Sequence, residues 1–297
     1  MESPQLKRSL FILNPHAGIQ PVKFIISEDL KRRKKDLSLF KSLSIDESGS
    51  RIKKSFDDYD LFVAAGGDGT VRSVASQIIG TNKMLAVLPM GSGNGFAKEF
   101  GFRQNIPSLI RDIKRSGSLK ADIIEINNCL CLNTAGVGLD SFVAHSFDKL
   151  RTRGLWTYVF VTLVNFLKLH PVHVEISIEG EEIVSEDLFV LTIANTRQFG
   201  NNAFIAPEAR PNDGIMDITL IKPFPKIMGL LFVYRLFRGT LKNSKYVSYI
   251  RTDKPFTIKT DETRFHIDGE PVNLEGPVNV NIRRDALTVL RARRNKL

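Results

Sequence analysis

Short apolar segments alternate with amphipathic stretches along the first part of the chain, up to about Asp122. Ser9–Leu13, Leu61–Ala65 and Leu85–Leu88 are nearly continuous apolar segments, which are typical of strands buried on both faces of a parallel sheet. The last two run into glycine-rich segments, and helices are predicted to follow from Thr70 to Ile79 and from Phe96. This alternation predicts an α/β domain whose loops gather at one edge of a parallel sheet.

The pattern changes after Asp122. Apolar and polar residues alternate along Val172–Ile178, and the alternation recurs at Val278–Ile282 and briefly at Phe265–Ile267, which predicts half-buried antiparallel strands. Helical insertions are predicted near Leu155–Leu169 and Ile227–Phe237. The expected domains are 1–122, of the α/β class, and 123–290, a mostly antiparallel β-sandwich, with 291–297 returning to the first.

Composition supports a folded globular chain. The 297 residues are 42% hydrophobic and 25% charged, which excludes disordered and fibrous classes. The cysteines are Cys129 and Cys131, and a C-x-C pair within one strand is poorly placed to form a disulfide. This indicates a reducing compartment, and the Cys and His residues lack the paired spacings of a zinc site.

A formal net charge of +10 fits a nucleic acid, an anionic lipid surface or a phosphorylated substrate. The basic segment Lys31–Lys35 is typical of a solvated helix face, and no nucleic-acid module signature accompanies it, so no nucleic-acid partner is expected. The N-terminus does not resemble a signal peptide. The uncharged segment Gly154–Leu167 has 14 residues, fewer than the roughly 20 of a spanning helix. We expect a cytoplasmic protein, with peripheral contact to an anionic membrane surface as a further option.

Gly66-Gly67-Asp68-Gly69-Thr70 leads from a predicted strand into a predicted helix. Such a segment presents backbone N–H groups to phosphate oxygens. Asp68 would repel a phosphate, so its carboxylate either reaches a cation or a hydroxyl, or only caps the helix. Sequence alone leaves these alternatives open.

Gly91-Ser92-Gly93-Asn94-Gly95 also follows an apolar strand, and is therefore expected at the same sheet edge. Ser92 can donate a hydrogen bond to a phosphate. The chain lacks G-x-x-x-x-G-K-[ST] and G-x-G-x-x-G, which excludes P-loop enzymes and ordinary dinucleotide dehydrogenases.

Six motifs in order, spread over most of the chain, resemble the diacylglycerol kinase catalytic-domain family, and more closely its bacterial soluble lipid kinases related to diacylglycerol and sphingosine kinases. They are Asn14-Pro15-x-x-Gly18, Gly66-Gly67-Asp68-Gly69-Thr70, Gly91-Ser92-Gly93-Asn94, Gly136-x-Gly138-x-Asp140, Asp213-Gly214-x-x-Asp217 and Asp268-Gly269-Glu270. Many bacterial members carry an acidic residue where this chain has Gly95, and His16 replaces a small residue. The fold that this resemblance implies is the NAD-kinase and diacylglycerol-kinase type.

The resemblance also implies residue roles, beginning with a set that binds the nucleotide. That set is Asn14, Ser44, Gly66, Gly67, Asp68, Gly69, Thr70, Val71, Arg72 and Ser92.

The Asp213 segment reads on its own as a tight turn. By resemblance, a structural Mg²⁺ is held there by the Asp213 carboxylate and the main-chain oxygens of Arg210 and Ile215. Asp268-Gly269-Glu270 reads alone as a hairpin turn. By resemblance it supplies the general base, with Glu270 as proton acceptor and Asp268 as the alternative; Asp68 completes the catalytic set.

An apolar path for a lipid is available in Leu155–Leu169 and in Ile227–Phe237, the second of which has basic flanks. Basic-flanked apolar helices can rest on an anionic membrane, although apolar helices are more often packed on a core.

The resemblance thus implies an ATP- and Mg²⁺-dependent lipid kinase that phosphorylates a diacylglycerol- or sphingosine-like hydroxyl in an interdomain cleft. One alternative is an NAD kinase, which shares the GGDGT segment but would carry an Asn-Glu pair in its second loop. The other is a lipid- or nucleotide-binding regulator without catalysis. The sequence names neither the lipid, nor the preferred nucleotide, nor the oligomeric state.

Overall fold

A computed structural model of the chain describes residues 8–15, 37–42, 44–115, 117–148, 155–293 and 295. His16 and the basic segment Lys31–Lys35 lie outside these ranges. The chain divides into two compact units, one formed by the residues up to Ala121 together with those from Asp285 onward, the other by Asp122–Arg284. The sequence-based division placed these boundaries after residues 122 and 290.

The first unit contains a parallel sheet in the strand order β2-β1-β3-β4-β16, as the apolar segments predict. Its strands are almost entirely buried except for the edge strand β2, which explains their nearly unbroken hydrophobic sequences. The bounds are β1 Ser9–Leu13, β2 Leu37–Lys41, β3 Leu61–Gly66, β4 Met84–Pro89 and β16 Val278–Leu290, of which the final residues pair with β4.

Helices in the described part of this unit follow the strands: α1 Ile45–Lys54, α2 Asp68–Ser76, α3 Gly95–Glu99 and α4 Ile106–Arg115. The helix predicted for Thr70–Ile79 begins earlier, because extended Gly67 takes the N-cap position, and ends at Ser76. Two of these helices, α2 and α3, therefore start directly from the two glycine-rich segments.

The second unit is an antiparallel sandwich. One described layer has the order β12-β11-β10-β7-β14-β15, with every pairing antiparallel. The other comprises the first part of β16 with β13, β8 and β9, joined by the hairpin β5–β6. Apolar side chains of both layers form one buried cluster, so the predicted mostly antiparallel β-sandwich is confirmed.

The strand bounds of this unit are β5 Ser118–Ile126, β6 Cys129–Cys131, β7 Thr134–Gly138, β8 Val172–Ile178, β9 Glu181–Leu188, β10 Val190–Ala194, β11 Met216–Ile221, β12 Val247–Thr252, β13 Phe256–Lys259, β14 Arg264–Ile267 and β15 Glu270–Asn273. Its helices are α5 Leu139–Asp148, α6 Leu155–Lys168 and α7 Gly229–Arg238, with single 3₁₀ turns at Lys226–Met228 and Leu241–Asn243.

Helices α6 and α7 have both an inner and an outer apolar side. Phe166 of α6 and Phe232 of α7 are buried in one cluster around Phe224. Phe160 and Leu167 of α6, by contrast, remain more than half exposed. Across the described ranges, no helix is long and apolar enough to span a bilayer.

Candidate active site

The first glycine-rich loop lies where β3 ends and α2 begins. Asn14, which follows β1, donates from Nδ2 to Thr70 Oγ1 at 3.3 Å, and its backbone N–H donates to Ala65. A Cβ added to Gly66 would stand 2.3 Å from Thr70 Oγ1, so Gly66 permits the close return of the helix over the strand end. The loop thus presents the N-terminus of α2 at the carboxyl edge of the sheet, which is a geometry that favours anions.

The second loop packs on the first, backbone to backbone. Met90 N–H donates to Gly66 O at 2.8 Å, and a Cβ on Gly91 would meet Gly67 Cα at 2.7 Å. Asn94 has a left-handed backbone (φ 53°), and its side-chain amide closes the loop on both backbone groups of Gly91. The two glycine segments therefore form one surface.

Asp68 joins the two loops. Its carboxylate accepts hydrogen bonds from the backbone N–H groups of Gly95 at 3.1 Å and Phe96 at 3.2 Å. The Asp68 carboxylate thus caps the neighbouring helix α3. Gly95 is buried, and its amide takes part in this contact.

Lys98 is a nearby residue that sequence analysis missed. Partial burial on α3 lowers the pKa of its ammonium group, and the negative charge of Asp68 opposes that shift. Lys98 is the penultimate residue of the short helix α3, and a lysine at such a position gives no sequence signal of a functional role. Its proximity to Asp68 places a positive charge beside the glycine surface.

The other residues of the nucleotide set differ in position. Ser92 is exposed on the second loop, whereas Val71 of α2 is buried and Arg72 of α2 is half-buried. Ser44 follows β2 and caps α1, since its Oγ accepts from Glu47 N–H at 3.1 Å. The structure brings Asn14, the first loop and the second loop together. Ser44, by contrast, caps helix α1.

In the second unit, the Asp268-Gly269-Glu270 turn connects β14 to β15. Asp268 has a left-handed backbone (φ 54°), and its carboxylate accepts from Asn133 N–H at 2.7 Å and Leu132 N–H at 3.0 Å. Cys131 Sγ lies 3.5 Å from the same group. Asp268 is therefore an anchor for the turn, while the half-buried Glu270 begins β15.

The Asp213 turn is held by charges that sequence analysis did not single out. Asp122 Oδ2 accepts from Gly214 N–H at 2.7 Å, and Arg251 donates to Asp213 Oδ2 at 2.8 Å. Arg251 also pairs with Asp217 Oδ1 at 3.1 Å, and Asp217 Oδ2 is buried with no hydrogen-bond partner. Burial raises the pKa of Asp217 to about 6, against the lowering effect of Arg251.

The charged residues at the Asp213 turn bear on whether the predicted ligands suit a Mg²⁺ ion. Within the described ranges, no three His, Cys, Asp or Glu side chains are arranged to hold a metal ion. The predicted set uses one carboxylate and two main-chain oxygens, a sparse set that suits a cation retaining several waters. Asp213 and Asp217 share the guanidinium of Arg251, and one oxygen of Asp217 has no hydrogen-bond partner, so negative charge at the turn exceeds that of this pairing, which fits a cation.

An apolar cavity of about 90 Å³ lies in the second unit, beneath α6 and α7. Its walls include Phe166, Phe199, Phe232 and Leu241, and Asp140 and Thr162 are the polar residues that line it. Asp140 belongs to the Gly136-x-Gly138-x-Asp140 motif, to which sequence reasoning gave no role.

Comparisons with known proteins agree with this architecture. The family model described as the diacylglycerol kinase catalytic domain matches residues 8–126, and the one described as the YegS C-terminal NAD kinase beta sandwich-like domain matches residues 133–291. A Pseudomonas putida protein described as "Probable lipid kinase YegS-like" is 33% identical over 220 residues, which are 72% of this chain and 71% of the relative. A Bacillus subtilis diacylglycerol kinase is 25% identical over 275 residues, 89% of this chain and 90% of the relative.

Solved structures share the fold. A diacylglycerol kinase structure from Bacillus anthracis str. Sterne matches with a TM-score of 0.72 at 18% identity, covering 96% of this chain and 97% of that one. An NAD kinase from Archaeoglobus fulgidus, solved in complex with ATP, matches with a TM-score of 0.57 at 13% identity, covering 97% and 95%.

An α/β unit with paired glycine loops and a β-sandwich unit of this kind define a phosphotransferase that uses an alcohol group as acceptor. The chain belongs to the diacylglycerol kinase catalytic-domain family, with a YegS-type C-terminal domain.

Proposed function

We propose that this protein transfers the γ-phosphoryl group of ATP to the hydroxyl of a diacylglycerol- or sphingosine-like lipid. The observation that carries the proposal is the glycine surface, in which Asp68 fixes two loops against each other at the N-terminus of α2. Family membership gives the reaction class, and the geometry of this surface supports it as the place where the donor's triphosphate would bind.

The donor-binding part of the proposal rests on backbone groups. Nucleotide phosphates would lie on the amides of Gly67, Gly69 and Thr70, where the helix dipole favours negative charge. Ser92 is exposed on the adjoining loop and has a hydroxyl to donate. Asn14 sets the Thr70 side chain and so acts at the edge of the same surface. Asp68 keeps the loops in register.

Glu270 is the proposed general base. A lipid hydroxyl is a weak nucleophile, and a carboxylate within hydrogen-bond reach accepts its proton as phosphoryl transfer proceeds. Asp268 is engaged by the backbone amides of Leu132 and Asn133, which favours it as the anchor and Glu270 as the base. The reaction requires that Glu270 reach the lipid hydroxyl while the donor's triphosphate lies on the glycine surface.

Mg²⁺ is proposed in two places. Bound to the triphosphate, it supplies neutralisation of the charge that develops during transfer. At the Asp213 turn, the carboxylate of Asp213 with main-chain oxygens of Arg210 and Ile215 would hold a structural ion near Asp217, whose Oδ2 has no hydrogen-bond partner.

The lipid chain is proposed to approach through the apolar part of the second unit. The cavity beneath α6 and α7 is lined almost wholly by carbon. Outside it, Ile227 is 91% exposed and Leu230 is 69% exposed, which is costly in water unless the surface is covered by apolar material.

Basic residues flank these exposed side chains in sequence: Lys222, Lys226, Arg235 and Arg238. Apolar groups with cationic flanks suit an anionic bilayer surface. Sedimentation with phosphatidylglycerol vesicles should therefore capture the protein, and phosphatidylcholine vesicles should capture it less. Leu230→Glu should weaken capture, whereas Ile183→Glu, at an exposed apolar position on β9, should not.

The experiment that tests the function is an assay with ATP labelled at the γ-phosphate and a panel of acceptors. The panel contains diacylglycerol, sphingosine, a monoacylglycerol and NAD. We expect label in at least one lipid and none in NAD. Label in NAD alone would make the protein an NAD kinase, and ATP binding without transfer to any acceptor would make it a regulator.

A further inference from the structure

A row of buried polar side chains crosses the six-stranded layer of the second unit and ends at the Asp268-Gly269-Glu270 turn. Asp140 Oδ2 accepts from Thr192 Oγ1 at 2.7 Å and lies 3.2 Å from His266 Nε2. His266 Nδ1 in turn accepts from Gly269 N–H at 3.4 Å. Thr192, Asp140 and His266 are all buried, so the two contacts of Asp140 are shielded from water, whereas the contact to Gly269 is partly buried.

The sheet register explains why these three side chains meet. Gly136 is paired with Thr192 on one side and with His266 on the other, so both neighbours flank a position without a side chain. Asp140, from the first turn of α5, occupies the space above Gly136. A Cβ on Gly136 would stand 2.5 Å from Asp140 Oδ2 and 2.3 Å from Leu191 O. The row of contacts thus explains two residues of the Gly136-x-Gly138-x-Asp140 motif: Gly136 leaves the space, and Asp140 occupies it.

The hydrogen-bond partners determine the tautomer of His266. Gly269 N–H is a donor, so Nδ1 must accept, and Nε2 therefore carries the hydrogen that it donates to Asp140. Asp140 is fixed independently, because Ser141 N–H donates to its Oδ1 at 2.9 Å. The ring of Phe199 packs edge-on against the imidazole at 6.0 Å. Asp140 and His266 are therefore each held by contacts on more than one side.

We propose that His266 is a positioning residue, which holds the Gly269 amide and thereby fixes the direction in which Glu270 leaves the turn. Asp268 anchors the start of the turn and His266 anchors its middle, so the turn is held at two successive residues. The proposal deepens the proposed function and rests on Glu270 as the base. A displacement of a catalytic group by about 1 Å can lower turnover about 10²-fold.

Two substitutions separate the two contacts of the ring. In His266→Asn the amide reaches the position of Nδ1, so an acceptor for Gly269 remains and the donor to Asp140 is lost. In His266→Gln the amide reaches the position of Nε2, so the donor to Asp140 remains and the acceptor for Gly269 is lost. His173 also contacts an aspartate, Asp187, at 2.9 Å on the exposed side of β8, and provides the same pair of substitutions as controls.

If His266 positions the turn, the His266→Asn and His266→Gln variants should rank in one order for activity and in the opposite order for thermal stability. His266→Asn should keep kcat within about 3-fold, while His266→Gln should lower it by about 10- to 100-fold with the KM for ATP unchanged. Thermal stability should follow the reverse order, because His266→Asn removes a donor from the buried Asp140. Asn and Gln at position 173 should leave kcat unchanged.

Hydrogen exchange of the segment that contains Gly269 gives a second readout, which does not depend on activity. Faster exchange in His266→Gln than in His266→Asn supports the positioning role, and equal exchange with equal kcat in the two variants overturns it. Glu270→Gln is measured beside them. If Glu270→Gln retains full kcat, the base assignment fails, and the exchange comparison alone then decides whether His266 holds the turn.

Discussion

Replacement of Asp68 by alanine should cost both stability and activity. An aspartate on a surface loop would usually change stability by less than about 0.5 kcal/mol. Here, however, its carboxylate accepts two backbone hydrogen bonds, from Gly95 and Phe96, that hold the start of α3. Hydrogen bonds to a charged group contribute about 1.5–3 kcal/mol each when fully buried.

Because Asp68 is only half-buried, we take about 1 kcal/mol for each contact, or about 2 kcal/mol for Asp68→Ala. That loss corresponds to a decrease in Tm of about 4–10 °C for domains of this size. Asp68→Asn keeps one acceptor oxygen and should lose about half as much. Since the glycine surface loses its link, ATP affinity should also fall in both variants.

Differential scanning calorimetry measures the Tm, and titration calorimetry measures the ATP affinity. Asp58→Ala is the matched control, because Asp58 is an exposed aspartate of the same unit. If Asp68→Ala melts at the wild-type temperature but loses activity, Asp68 acts on the ligand and does not link the loops. If it loses stability but binds ATP normally, the glycine surface is not where the nucleotide binds.

Four further substitutions test other contacts. Gly91→Ala brings a Cβ to within 2.7 Å of Gly67 Cα, so we expect a stability loss of about 1–3 kcal/mol and an ATP affinity at least about 10-fold lower by calorimetry. Glu270→Gln should lower kcat by about 10²–10⁴-fold without changing the Tm, whereas Asp268→Asn should lower the Tm as well, because it disturbs the turn's anchor. Chelation of Mg²⁺ should lower the Tm of the wild type by the mass-action loss of a bound ion and leave Asp213→Ala unaffected. An unchanged wild-type Tm would contradict a structural ion at that turn.

The fold could be predicted because its signals are local. Continuous apolar segments such as Leu61–Ala65 arise from strands buried on both faces, and the alternation in Val172–Ile178 arises from one buried face. The glycine segments were found for the same reason, since a turn from strand to helix constrains adjacent residues. Element ends were less accurate where a cap decided them, as at Gly67.

Contacts between distant residues could not be predicted from local signals. Asp68 is bound by amides 27 and 28 positions away, so nothing in its own segment distinguishes linking from metal binding. His266 and Asp140 are 126 positions apart, and sheet register alone brings them together. Arg251 is an ordinary strand arginine in sequence, and its pairing with Asp213 and Asp217 depends on how β11 and β12 align.

The central claim is that this chain phosphorylates a lipid hydroxyl with Glu270 as the base. A single-turnover measurement tests it most directly: enzyme in excess over γ-labelled ATP, with the lipid acceptor from the panel in mixed micelles. The account predicts rapid appearance of phosphorylated lipid with wild type, and a transfer step slower by about 10²–10⁴-fold in Glu270→Gln, at equal occupancy by ATP. Equal transfer rates for the two proteins, or label released only as inorganic phosphate, would contradict it.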